Sequence, residues 1–137
     1  MYIVKQLFSI VAKLKKTAGI KETRMMPSNQ SWQDKVESAL EDLGVYVSWY
    51  KQNQELYAEC EFYSEAGENF VFSICGNSFD EFKQNLADYY WSFDSEEHAV
   101  GWYGANKGEP DSLRVLLADA DSINEQIERI TRSIYEL

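Results

Sequence analysis

The feature that most limits the possible folds is a run of nine residues in which apolar and polar positions alternate without interruption. From Glu55 to Tyr63, one set of alternate positions is apolar and the other carries carboxylates and tyrosines. Strand side chains point to opposite faces with a period of two, so this pattern predicts a half-buried β-strand. A sheet with one solvated face is typically antiparallel, which disfavours a parallel sheet covered on both sides.

Two more strand-like runs flank this segment. Residues 45–50 are β-branched and aromatic, and residues 69–75 alternate with three apolar side chains on one face. The connections, residues 51–54 and 64–68, are polar and short enough for hairpins. Together these runs predict a three-stranded antiparallel meander with one buried face.

The register of this meander determines where the two cysteines lie. Pairing of Tyr63 with Asn69 would place Cys60 and Cys75 on opposite faces, because one residue of offset reverses the side chain. We therefore expect two free thiols, with Cys60 acting as a small core residue.

Helical periodicity surrounds the predicted sheet. One apolar helical face follows residue 31 and ends at Gly44, and three more follow the strands. Side chains suited to capping precede these helices, namely Ser31, Ser78, Asp94 or Ser95, and Asp111 or Ser112. The predicted fold class is α+β: an N-terminal helix, then the order α-β-β-β-α-α-α, with the meander covered by helices on one face.

Charge divides the chain into two parts. Residues 1–24 hold six basic and one acidic side chain, whereas residues 25–137 carry a net charge of −15 within a total of −10. We interpret residues 1–24 as a basic amphipathic helix and linker, and residues 31–137 as a single acidic domain. The helix is expected to pack on the domain or to pair with a second copy as a homodimer. The alternative is a basic helix on an anionic membrane surface.

The same charge excludes some partners and compartments. An acidic domain repels phosphates, so direct binding of nucleic acid is not expected. No run of 18 apolar residues and no signal-peptide pattern occurs, which predicts no membrane association and a cytoplasmic location in a bacterial host.

The sequence offers little catalytic chemistry. His98 is the single histidine, and its sequence neighbours Asp94, Glu96 and Glu97 are typical of a helix N-terminus. The positions of Cys60, Cys75 and His98 do not have zinc-ligand spacing, and phosphate-loop and nucleophile-elbow strings are missing. We predict a protein that is not an enzyme and that uses no metal or cofactor. An enzyme centred on His98 is the alternative.

Tyrosines and carboxylates instead predict a protein-binding surface. Aromatic side chains anchor interfaces and acids steer a basic partner, and a dense acidic surface can imitate the charge of DNA. The candidate partner-binding residues are Tyr57, Glu59, Glu61, Tyr63, Glu65, Glu68, Asp88, Asp94, Glu96, Glu97, Glu109 and Asp111.

Three segments resemble motifs of small acidic proteins encoded on conjugative elements and prophages of Firmicutes. Residues 93–102 resemble a DxDEHxxxW segment, residues 110–120 a PSxRELxxDAE segment, and residues 64–70 an SxAGEDFxF hairpin. The resemblance covers residues 45–125 and excludes the basic segment before them. It implies a mobile-element origin, and no catalytic residues carry over from it.

Such proteins are often counter-defence factors. The order αβββ followed by helices, in an acidic chain, is also similar to one type II-A anti-CRISPR that occupies the DNA-recognition groove of its nuclease, an analogy at the level of fold. The expected function is therefore inhibition of a CRISPR effector nuclease by acidic occlusion of its DNA-binding surface. The alternative is a mobile-element adaptor or regulatory module with no nuclease target.

Overall fold

The computed structural model describes residues 31–108, 110 and 112–137, and within them four helices and one three-stranded antiparallel sheet form an α+β fold. The predicted order α-β-β-β-α-α-α is confirmed. The predicted basic helix at residues 1–24 lies outside the described residues, as do Glu109 and Asp111. The elements are α1 (Trp32–Glu41), β1 (Tyr46–Gln52), β2 (Glu55–Tyr63), β3 (Asn69–Cys75), α2 (Phe79–Ser92), α3 (Ser95–Asn106) and α4 (Leu113–Tyr135).

The sheet has the order β1-β2-β3, and its β2–β3 register is the predicted one. Tyr63 pairs with Asn69, so Cys60 lies on the covered face and Cys75 on the other. Both thiols are free. Burial, followed by the nearby charge of Glu59, raises the pKa of Cys60 to about 12, so this thiol stays protonated within the core.

The predicted limits of β1 are wrong at both ends. The strand begins at Tyr46 instead of residue 45, and it extends to Gln52, beyond residue 50. It runs further because the hairpin turns on only two residues, Asn53 and Gln54, whose φ angles are 53° and 66°. Two consecutive positive φ angles give a turn that matches the twist of the strands, so ladder pairing continues to its edge.

Helices α1, α2 and α4 pack on one face of the sheet, as predicted, and α3 packs on α4. The alternate residues of β2 and β3 that face them are buried, and the isoleucines of α4 lie in the same cluster. A smaller apolar cluster joins α3 to α4 through Ala99, Tyr103, Leu116 and Ala120. No described helix packs on the opposite face of the sheet, which therefore forms part of the molecular surface.

The helices begin at predicted side-chain caps. Ser31, Ser78, Asp94 and Ser112 each accept a hydrogen bond from the backbone N–H three residues later. Gly44 follows α1 with a φ of 80°, the left-handed conformation that closes a helix. None of the described helices is both long and apolar enough to cross a bilayer.

Candidate functional site

The uncovered sheet face brings together several of the predicted tyrosines and carboxylates. Its central strand presents Tyr57, Glu59, Glu61 and Tyr63, all half-buried. Cross-strand pairing adds Tyr46, Ser48 and Tyr50 from β1, and Asn69, Val71, Ser73 and Cys75 from β3. None of these residues is basic. We call this set the open face.

Its aromatic part is ordered by stacking. Tyr50 and Tyr57 are direct cross-strand partners, and their rings stack with centroids 5.1 Å apart and an interplanar angle of 6°. The Tyr50 hydroxyl donates a hydrogen bond of 3.2 Å to Ser73 Oγ, across the whole width of the sheet. Rings held in one orientation lose little entropy when a partner binds, which suits them as interface anchors.

One corner of the open face groups a carboxylate, a phenol and a thiol. Glu55 Oε2 accepts hydrogen bonds from the Tyr57 hydroxyl at 3.3 Å and from Cys75 Sγ at 3.7 Å. Partial desolvation, followed by the charge of Glu55, raises the pKa of both Tyr57 and Cys75. Both groups therefore stay protonated near neutral pH and act as donors, and Cys75 is a poor nucleophile.

Among the described residues, the acids of the open face have no cationic partner. Glu61 Oε1 accepts a hydrogen bond of 2.6 Å from Asn69 Nδ2, and neither Glu59 nor Glu61 forms an ion pair with a described residue. The helices differ, because α2 carries one short-range ion pair and α4 carries two. A surface with carboxylate acceptors, tyrosine rings and uncompensated negative charge is suited to arginine and lysine side chains.

Glu68, one of the predicted partner-binding residues, is buried in this structure. Glu68 is only 7% exposed, and its Oε2 lies 2.6 Å from His98 Nε2. The imidazole also contacts the rings of Phe70 and Phe93, with centroids 5.0 and 5.7 Å away. The pair ties the residue before β3 to α3.

A second buried carboxylate holds the turn before β3 against α4. Asp119 Oδ1 accepts the Ala66 N–H at 2.8 Å, and Ser122 Oγ accepts the Glu65 N–H at 3.0 Å. Burial raises the pKa of Glu68 and the charge of Asp119 raises it further, whereas His98 opposes the shift. Two carboxyl groups and one imidazole from three elements thus meet beneath residues 64–68.

The other predicted residues that the structure describes lie on exposed surface. Asp94 Oδ1 caps α3 by accepting the Glu97 N–H at 3.0 Å, and Asp88 accepts a hydrogen bond from Gln84 on α2. The bond between Glu68 and His98 places the start of α3 beside the turn at one end of the sheet. That brings the predicted acids of the turn and of α3 to the same end of the molecule, namely Glu65, Asp94, Glu96 and Glu97.

His98 is the residue whose environment the sequence analysis missed. Its carboxylate partner is Glu68, thirty positions away, and not the acids beside it in sequence. The side chain is partly buried, and the carboxylate–imidazole pair is enclosed by aromatic rings. Among the described residues, no three His, Cys, Asp or Glu side chains are grouped so that they could hold a metal ion.

Replacing Glu68 with glutamine is expected to change how stability depends on pH. The pKa of Glu68 is raised in the folded state. The protonated carboxyl therefore stabilises the folded state fully below the ordinary pKa of 4.5. That stability is lost as the pH rises through the folded pKa. Glutamine does not ionise, so Glu68→Gln should gain free energy of unfolding relative to the wild type as the pH rises.

Urea unfolding of both proteins from about pH 4 to about pH 7 measures this difference. The groups that face Glu68 are His98 and Asp119, and both residues are present in the two proteins. Glu96→Gln, at an exposed position of α3, is the matched control and should follow the wild type. A difference between Glu68→Gln and wild type that is constant with pH would contradict the raised pKa.

Comparison with known proteins adds no relative. No family model, no curated protein and no solved structure matches the chain. The structure does bring together the three segments that carry the resemblance described above. Glu68 belongs to residues 64–70, His98 to residues 93–102 and Asp119 to residues 110–120, and these three side chains form the buried group at the turn.

Proposed function

We propose that this protein is a non-enzymatic inhibitor that binds the nucleic-acid-binding surface of a host CRISPR effector nuclease. The open face carries the proposal: it presents carboxylates and stacked tyrosines, and none of its residues is basic. Such a surface complements the arginines and lysines that hold DNA, including those that read the short recognition motif in RNA-guided nucleases. The resemblance to mobile-element proteins supports a counter-defence role.

The size of the open face indicates that more of the protein takes part. Strands β1 and β3 each pair with β2 over seven residues, so the paired sheet spans roughly 14 by 23 Å, or roughly 300 Å². A standard interface buries about 800 Å² on each partner. The acids at the end of the sheet, in the turn and at the start of α3, are the nearest surface of the same charge. We therefore assign Glu65, Glu96 and Glu97 to the flank of the interface.

Occlusion predicts a dependence on the order of addition. Purified nuclease with its guide RNA is mixed with increasing amounts of the full chain before or after the target DNA is loaded, and cleavage is measured. Inhibition should be strong when the protein is added first and weak when DNA already fills the groove. Raising the salt from about 0.1 M should weaken inhibition, because screening shortens the range of the charges.

A lack of inhibition at stoichiometric excess, in either order, would exclude the nuclease tested. Equal inhibition in both orders would contradict occlusion, because DNA that is already bound blocks a competitor from the same site. The same open face would also serve an adaptor with a basic partner. Specific capture of a partner that is not a nuclease, lost when the open face is altered, would favour that function.

A further inference from the structure

A concave surface lies where residues 64–68 meet α3 and α4, away from the open face. It is a groove of about 360 Å³, and its lining includes Glu65, Tyr103, Arg114 and Asp119. Asp119 is only 1% exposed. Its Oδ1 accepts the Ala66 N–H, whereas its buried Oδ2 has no hydrogen-bond partner among the described residues.

Glu68 also has a buried carboxyl oxygen without a described hydrogen-bond partner. Glu68 Oε2 is engaged by His98, but the buried Oε1 also lacks a described partner. The charge of Asp119 opposes ionisation of Glu68, so the two groups lie close enough to interact. Buried carboxylate oxygens without a donor are unfavourable, and a positively charged N–H donor satisfies them better than a neutral one.

We propose that this groove binds an alkylguanidinium group, such as the head of an arginine side chain, with Asp119 as its carboxylate partner. A planar guanidinium offers several N–H donors in a fixed fork and packs well on an aromatic ring. Tyr103 supplies that ring, and Glu65 adds a second carboxylate from the turn. The proposal does not rest on the function assigned to the open face, and Glu65 is the one residue that both proposals use.

The phenol of Tyr103 fits this role. Burial, followed by the charges of Asp119 and Glu65, raises its pKa, so the hydroxyl stays protonated near neutral pH. A neutral ring leaves the negative charge of the groove to its carboxylates. A metal ion is a poorer occupant, because the described residues offer no group of three suitable ligands.

Within the described part of the chain, Arg114 is the one cation that lines the groove. It is exposed, and it forms no ion pair with a described residue. It therefore acts as a competing charge at the rim of the site. Replacing it with glutamine should increase the affinity for a guanidinium ligand.

Titration of the full chain, followed by backbone-amide NMR shifts, tests the proposal. The two probes are butylguanidinium and the peptide acetyl-Gly-Arg-Gly-amide, which separate a free small molecule from a protein side chain. Both probes carry a guanidinium group. Tighter binding of butylguanidinium indicates a free small molecule as the natural ligand, and tighter binding of the peptide indicates an arginine side chain of a protein. The shifts should centre on the amides of Ala66 and Asp119, and butylammonium should bind more weakly than butylguanidinium.

Asp119→Asn is the informative variant, because its amide oxygen still accepts the Ala66 N–H while the charge is removed. We expect it to weaken binding about tenfold or more. Asp121→Asn, at an exposed position of α4, removes the same charge and should leave affinity unchanged. Arg114→Gln should bind at least as tightly as the wild type, and it tests the groove without altering a buried residue.

The proposal is overturned if neither probe shifts Ala66 in the wild type or in Arg114→Gln. It is also overturned if folded Asp119→Asn binds as tightly as the wild type, or if Asp121→Asn loses the same affinity. Circular dichroism establishes that each variant is folded. If Asp119→Asn is unfolded, Glu65→Gln takes its place, since this exposed residue lines the groove and should also weaken binding.

Discussion

Replacing Gly76 with alanine is expected to lower the free energy of unfolding by about 3 kcal/mol, the upper end of the usual cost of overpacking. A Cβ atom at this position would lie 2.6 Å from Phe82 Cα and Cβ, and 2.8 Å from Phe82 N. Two of these three atoms belong to the backbone of α2. The clash can therefore be relieved only by moving the helix, because no rotamer change removes it.

The structure resists that movement because hydrogen bonds fix this corner. The Gly76 N–H donates to Leu56 O at 2.9 Å, and the Leu56 N–H donates to Asn77 Oδ1 at 2.9 Å. From α2, Asn85 Nδ2 donates to Cys75 O at 2.7 Å. A shift of α2 away from the sheet would break at least the last of these bonds and loosen the core around Phe82.

Two other glycines provide controls of the opposite sign. Gly101 and Gly104 lie inside α3, and a Cβ atom at either would meet nothing within 4 Å. Alanine at either position should raise the free energy of unfolding by about 0.5 to 1 kcal/mol, because glycine loses more backbone entropy in a helix. Urea unfolding of the three variants measures these values. Stability of Gly76→Ala equal to that of wild type would contradict the tight packing at Phe82.

The sheet was predictable because its information is local. Strict alternation from Glu55 to Tyr63 fixes which side chains face the core, and short polar connections fix the order of the strands. The end of β1 was not predictable from the sequence, because it depends on Asn53 and Gln54 both adopting positive φ angles. Glutamine is uncommon in that conformation, so its presence did not indicate a two-residue turn.

The buried group beneath the turn could not be derived from spacing. Glu68 and His98 are thirty residues apart, and their contact depends on how α3 packs on the end of the sheet. In the sequence, Glu68 was indistinguishable from exposed acids such as Glu65. Glu68 ends the polar connection before the strand-like run at residues 69–75, and an alternating pattern carries no information on what covers a residue beside the strand.

For Asp119 a signal was present in the sequence. The apolar face of α4 includes Leu116, Ala120 and Ile123, and Asp119 follows Leu116 by three residues, on the same face. An acid on the buried face of an otherwise apolar helix needs a specific partner. That reasoning indicates a polar contact at Asp119 without naming Ala66, because the partner is a backbone N–H in a distant turn.

Reversing two charges on the open face is expected to weaken inhibition of a susceptible nuclease about 100-fold, which corresponds to about 2.7 kcal/mol. In Glu59→Lys with Glu61→Lys, two half-buried carboxylates at the centre of the face become cations. Breaking a buried charge pair at an interface typically costs 2–5 kcal/mol, and a like charge adds repulsion. The variant should fold, because both positions lie on the face that no described helix covers.

The control must carry the same change in net charge at a distance from the open face. Asp121→Lys with Glu136→Lys alters two exposed positions of the last helix and its end, and leaves the open face intact. Its inhibition should weaken no more than about threefold, through slower long-range steering alone. Inhibition is measured as the concentration that halves cleavage, at matched ionic strength.

A third pair, Glu96→Lys with Glu97→Lys, separates the two predicted acidic clusters. These residues are exposed at the start of α3, and charges at the rim of an interface contribute less than charges at its centre. We expect a loss of about tenfold, between the other two pairs. A larger loss here than at Glu59 and Glu61 would move the centre of the interface to α3. Equal inhibition by all three variants would exclude occlusion by charge, because that mechanism depends on where the carboxylates lie.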